Sequence, residues 1–148
     1  MENFFDEYIK VNIEQNVVWG EMDAFQHINN TVYFRYFENV RLEYFHKINL
    51  FEIMKNEGIG PVLASTQCRF KIPLTFPDKI HIGTKVFELG EDYYLMKYSI
   101  YSHQYEKIVA EGEGKIVSFS FAEKKKSKHP KQLYENILAL EGNQIVKK

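Results

Sequence analysis

The chain has 148 residues, 45% hydrophobic and 26% charged, which suits one globular domain and excludes a disordered polypeptide. Nineteen Lys and Arg against twenty Asp and Glu leave a formal charge of −1, so the charge balance gives nucleic acid no footing. The one cysteine, Cys68, excludes an internal disulfide and any multi-Cys metal centre, and reads as a small buried apolar residue. Met1 to Lys10 carries Asp6, Glu7 and Lys10 and is unlike a signal peptide. No apolar run approaches the roughly 18 residues of a membrane helix, so a soluble cytoplasmic protein with no membrane partner is expected. Aromatic residues reach 16%, which points to large packed or lipophilic surfaces.

In chain order, Val11 to Trp19 reads as a strand, and Gly20 to Asn30 as a polar loop whose Asn29 or Asn30 caps the helix after it. From Thr31 to about Ile48 the period turns helical, with Tyr33, Phe34, Phe37, Val40, Tyr44, Phe45 and Ile48 on one broad arc. Arg41 falls inside that arc and Glu38 at its border, so an i,i+3 ion pair between them is expected in preference to a role at a site. Asn49 breaks the helix, Leu50 to Glu57 forms a short second one, and Gly58 to Pro61 ends it. Four strands follow: Val62 to Ile72, then Ile80 to about Val86, Tyr93 to Ser102, and Lys107 to Phe121. Turns at Phe76-Pro77-Asp78, Gly90-Glu91-Asp92 and His103 to Glu106 separate them. Ala110, Gly112 and Gly114 share one strand face, where the aromatic helix is expected to lie. Residues 122–148 then read as a basic linker and a closing helix that starts near Pro130 and turns Leu133, Ile137 and Leu140 to one side. The expected class is α+β, an antiparallel sheet of about five strands with one long helix on its face.

The segment that carries chemistry is Trp19-Gly20-Glu21-Met22-Asp23-Ala24-Phe25-Gln26-His27-Ile28-Asn29-Asn30-Thr31-Val32-Tyr33-Phe34-Arg35-Tyr36-Phe37-Glu38. It closely resembles the opening signature of the hot-dog-fold acyl-CoA thioesterases of the 4-hydroxybenzoyl-CoA thioesterase family, and the later Ala110-x-Gly112-x-Gly114 run fits the same family. The resemblance implies a single hot-dog domain over 1–148, with the sheet wrapped around the central helix, assembled as a homodimer or homotetramer with sites between subunits. It makes Asp23 the catalytic carboxylate, Asn30 and Thr31 the start of a helix whose amides face the thioester carbonyl, and His27 and Asn29 site-lining residues. Gln26 stands where the family usually has Gly, so the loop is expected either to change shape or to gain an amide donor that contacts substrate. Some members hold the coenzyme A phosphates near the turn before the fourth strand, but here Glu91 and Asp92 occupy it. The candidate phosphate contacts are instead Lys124, Lys125, Lys126 and Lys128, for which a solvated tail is the plainer reading.

The chemistry holds without the name. Thioester hydrolysis needs a group that activates water or attacks the carbonyl carbon, and donors that stabilise the oxyanion. A carboxylate supplies the first and a helix N-terminus the second. Taken alone, Asp23 is a turn or capping residue; within the motif it becomes the base or nucleophile of an acyl-CoA thioesterase. An acyl-carrier-protein thioesterase and a non-catalytic acyl-thioester-binding module are the alternatives, and the loop lacks the paired His and acid of hot-dog dehydratases. No two of the five His stand at i,i+4 and no dinucleotide or phosphate-loop glycine pattern is present, so neither a metal nor a cofactor is expected.

Overall fold

The computed structural model describes residues 4–148; the first three, which open the stretch read as unlike a signal peptide, lie outside it. The order is β1 (Val11–Asn16), a 3-10 turn (Trp19–Glu21), α1 (Asn30–Lys47), α2 (Leu50–Glu57), β2 (Ile59–Phe70), β3 (Lys79–Leu89), β4 (Tyr93–Ser102), β5 (Lys107–Ser120), β6 (Lys125–Lys126), α3 (Lys131–Glu141) and β7 (Val146–Lys147). The sheet runs β1-β3-β4-β5-β2, with β6 added to β5 and β7 to β3. β1 is antiparallel to β3, and short turns between the neighbours β3, β4 and β5 allow only antiparallel pairing there as well. The exception is the two-residue β7, which runs parallel to β3 through Glu88 and Val146.

The α+β class and five long strands agree with expectation, while the helical part is divided among three helices, α1 having 18 residues. The first strand stops three residues early. Val18 and Trp19 look strand-like in composition, but Glu21 N–H and Met22 N–H bond back to the carbonyls of Val18 and Trp19 and wind the chain into a turn. β2 starts earlier than expected because Gly58 alone, at φ 68°, ends α2. Pro61 is tolerated within β2 because that strand closes one end of the sheet order. Asn49 breaks the helices as expected, by taking φ 59°.

The chain divides into two compact units, one made of residues up to Glu43 with Cys68–Thr84 and Tyr98–Gly112, the other of Tyr44–Gln67, Lys85–Lys97 and Glu113–Lys148. In the first, Tyr33, Tyr36, Phe37 and Val40 of α1 are buried along with Ile80, Ile82, Ile100 and Val109 from the sheet. Phe37 stacks on Tyr98 with centroids 4.6 Å apart, and Tyr33 Oη accepts the Leu74 N–H at 3.1 Å. Phe34, expected on the apolar arc, is 36% exposed, and Tyr36 takes its place in the core.

The expected Glu38–Arg41 pair does not form. Glu38 instead meets Arg35 at 3.8 Å on the exposed side of α1. Arg41 is 8% exposed and donates to Tyr98 Oη at 3.0 Å. Glu38 has an arginine three residues away in each direction, and the tertiary phenol decides which one turns inward.

The second unit buries Tyr44, Phe45, Ile48, Leu50 and Ile53, from α1, α2 and the turn between them, along with Val86, Leu89, Met96, Leu133 and Ile137. This unit also buries a carboxylate. Glu141, 2% exposed at the end of α3, accepts from Tyr44 Oη at 2.6 Å, from Val86 N–H at 2.8 Å and from Gln144 Nε2 at 2.6 Å. Cys68 is half-buried rather than buried, because the end strand β2 leaves most of its residues exposed; burial still pushes its thiol up to about 11.

Candidate active site

The loop before α1 is a closed neck. Met22 and Ile28 form an isolated antiparallel bridge, Asp23 N–H donates to the His27 carbonyl at 2.9 Å, and Asn29 N–H donates to the Glu21 carbonyl at 3.0 Å. Asp23 and the first turn of α1 are thereby drawn together although seven residues separate Asp23 from Asn30. Ile28, the one buried residue of the loop tip, anchors it by donating its N–H to the Leu74 carbonyl at 2.8 Å.

Within this neck Asp23 behaves first as a turn residue, its Oδ1 accepting the Phe25 N–H at 2.9 Å. Oδ2 makes no hydrogen bond among the described residues, so closing the turn leaves one oxygen of a half-exposed carboxylate available. Gln26 sits at φ 63°, the left-handed conformation in which glycine costs nothing. The loop therefore keeps a glycine-type turn despite the larger residue. Gln26 and His27 are both exposed.

Asn29 is the cap. Its Oδ1 accepts both the N–H and the Oγ1–H of Thr31 at 3.0 Å, and its carbonyl accepts the Val32 N–H at 2.9 Å. The Thr31 amide is thus engaged by the protein itself. Asn30, the first residue of α1, has no intrahelical acceptor for its N–H. Behind the loop, Tyr36 Oη is buried with no hydrogen-bond partner among the described residues, and burial together with nearby Glu21 holds its phenol well above the ordinary range.

The lysine run lies in the other unit. Lys125 and Lys126 pair with Ser120 and Phe119 as β6 instead of forming a loose linker, and Lys124, Lys125, Lys126 and Lys128 are all exposed. Lys125 meets Glu123 at 3.7 Å. The Glu91–Asp92 turn is tied to distant segments through its backbone, the Glu91 carbonyl accepting from His129 N–H and the Asp92 carbonyl from Ser118 N–H. The structure also gathers Glu14, His81 and His103, a set that spacing along the chain does not reveal because two strands and the turn after a third bring it together. The one available signal is the alternation of β3, which puts His81 on the polar face beside Lys79.

The sequence profile of the thioesterase-like superfamily matches residues 17–137. The chain belongs to that superfamily. The match covers the Asp23 loop, all three helices in part or whole and the sheet from β2 to β6, and it bears out the resemblance to the hot-dog thioesterases. This superfamily member is also 32% identical over 83 residues to the uncharacterised protein YsmA of Bacillus subtilis, a match spanning 56% of this chain and about half, 55%, of that one. Among solved structures it is similar to a thioesterase complexed with coenzyme A and Zn from Thermus thermophilus, at TM-score 0.81 and 24% identity over 93% of this chain and 98% of that one. It is likewise similar to the DHNA-CoA thioesterase from Staphylococcus aureus, at TM-score 0.78 and 20% identity over 93% and 97%. At these identities the likeness establishes the fold.

Proposed function

We propose that this chain is an acyl-CoA thioesterase, a single hot-dog domain whose sheet wraps α1 and whose Asp23 activates water or attacks the thioester carbon directly. The observation that carries the reading is the closed neck, which holds a carboxylate with one unengaged oxygen at the start of an 18-residue helix. As base, Asp23 takes a proton from water as the oxygen bonds to the carbonyl carbon; as nucleophile, it forms a mixed anhydride that water then hydrolyses. In either route the C–S bond breaks, the thiolate leaves and gains a proton, and the products are a carboxylic acid and coenzyme A. The developing oxyanion is assigned to the Asn30 N–H, since Asn29 engages the amides of Thr31 and Val32. Gln26 and His27 line the mouth, and Asn29 frames it as the cap.

The exposure of Phe25 at 82% and Trp19 at 69% beside this loop supports a site covered by a second copy of the chain. Lys124, Lys125, Lys126 and Lys128 are the proposed coenzyme A phosphate contacts. A protein-borne thioester is the second reading, favoured by the acidic turn at Glu91 and Asp92. Release of free thiol from acetyl, medium-chain, long-chain and aryl thioesters of coenzyme A tests the proposal, and the same acyl groups on a carrier protein separate the two donors. Turnover of at least one coenzyme A thioester is expected. Binding without turnover across the whole panel contradicts hydrolysis and leaves an acyl-binding module.

A further inference from the structure

On the face of the sheet opposite Ile80, Ile82 and Ile100, strand alternation lines up a different set of side chains. Glu14 of β1 lies directly across from His81 of β3, and His103 follows the end of β4, the next strand over. One ligand atom from each of Glu14, His81 and His103 lies within 4.8 Å of the other two. The hydrogen bonds are incomplete in a telling way. His81 Nδ1 and His103 Nε2 are both buried and lack any hydrogen-bond partner among the described residues. A buried imidazole nitrogen without a partner carries a desolvation cost that a cation bound at that nitrogen removes.

The surroundings suit such an ion. Phe4 stacks on His81 at 4.4 Å and sits edge-on to His103 at 5.2 Å, which shields one side from water. His81 Nε2 is 3.6 Å from Glu14 Oε1, too long for a hydrogen bond. Lys79 Nζ lies 3.3 Å from the same oxygen, which leaves Oε2 of Glu14 outside both contacts.

We propose that Glu14, His81 and His103 form a binding site for one divalent transition-metal ion of the zinc class. Two imidazoles and one carboxylate are a donor set this class accepts, and three protein ligands leave a fourth position open. Metal–ligand bonds of about 2 Å set ligand separations around 3.3 Å, so the present spread of up to 4.8 Å has to contract when an ion binds. The site joins β1, β3 and the turn that follows β4, so its occupation stabilises the sheet, and it stands independently of the thioesterase reading.

The test uses the full chain, free of any affinity tag and stripped with chelator. Zinc ion alone is titrated by calorimetry and thermal unfolding, and Co²⁺ by visible absorption. One equivalent of zinc is expected to bind, raising the melting temperature by about 5 °C or more at a hundredfold excess over Kd, and Co²⁺ is expected to give the intense visible bands of a low-coordinate N/O site. His103→Gln should abolish the shift, and Glu14→Gln, which alters an exposed residue, should weaken zinc binding at least about tenfold. His46→Gln, at an exposed histidine on α1, should change nothing. A wild-type chain with no Co²⁺ bands and no zinc shift overturns the proposal, whatever the variants do. Zinc binding that survives in folded His103→Gln and Glu14→Gln overturns it equally.

Discussion

Arg41 carries a formal charge into the core of the first unit and satisfies it with a neutral phenol. Its donation to Tyr98 Oη at 3.0 Å and its position 6.0 Å from the Tyr98 ring centroid combine a hydrogen bond with a cation–π contact. Arg41→Ala removes both and opens a gap along the side-chain stem, so urea unfolding should report a loss of about 2–3 kcal/mol. Glu38→Ala, which breaks only the exposed contact with Arg35, should stay within about 0.5 kcal/mol. Equal losses in the two variants would restore the pairing that helical spacing suggests. Gln26 invites the opposite experiment. Its φ of 63° strains a residue with a Cβ, so Gln26→Gly should be neutral or stabilising by up to about 1 kcal/mol. Retained turnover in that variant makes Gln26 a shape residue, while lost turnover makes its side-chain amide a substrate contact.

At the scale of elements, α3 is fastened by Glu141 and by the segment leading into it. Glu141→Ala leaves the Tyr44 hydroxyl and the Val86 N–H without their buried acceptor, and denaturant melts should show a loss of about 3 kcal/mol. Just before α3, His129 bonds through Nδ1 to Ser118 Oγ at 2.6 Å and through Nε2 to the Tyr93 carbonyl at 3.1 Å. Nε2 must donate to that carbonyl, and in the neutral ring Nδ1 accepts from the serine hydroxyl. Burial lowers its pKa in the folded chain, so the unfolded chain binds the proton first as pH falls. The contribution of His129 is therefore fully present above the unfolded value near 6.5 and declines as pH drops below it. His129→Gln should flatten the pH dependence of the unfolding midpoint below about pH 6.5, and an unchanged slope would assign it to other groups.

The scale of elements is also where the sequence was most readable. α1 declares itself through its aromatic period, and the β3–β4 turn through Gly90, where a Cβ would fall 2.1 Å from the Tyr93 ring. The turn at Asp23 and the cap before α1 are legible because their signals lie within one stretch of chain. What stays hidden depends on distant partners. The two-residue strands β6 and β7 exist only through pairing with β5 and β3. Glu141 looks like a solvated helix end until Tyr44 and Val86 are placed against it, and Glu14, His81 and His103 are 89 positions apart from first to last.

For the whole molecule, the exposed apolar side chains make the strongest statement. Trp19, Phe25, Val62, Leu63 and Phe70 are between 40% and 82% exposed, and β2, which carries the last three, lies at one end of the sheet order. Light scattering at micromolar concentration should give a homodimer or homotetramer, and a monomeric mass would refute that assembly. Asp23→Asn preserves the shape of the Asx turn through its side-chain oxygen and removes the charge, so assembly and folding should persist. Thiol release from the best coenzyme A thioester, compared between wild type and Asp23→Asn, is then the most direct measurement of the central claim. Turnover should fall by roughly 10²–10⁴ with KM little changed, since the lost interaction belongs to the transition state. An Asp23→Asn enzyme that hydrolyses the same thioester within a few-fold of wild type would contradict it.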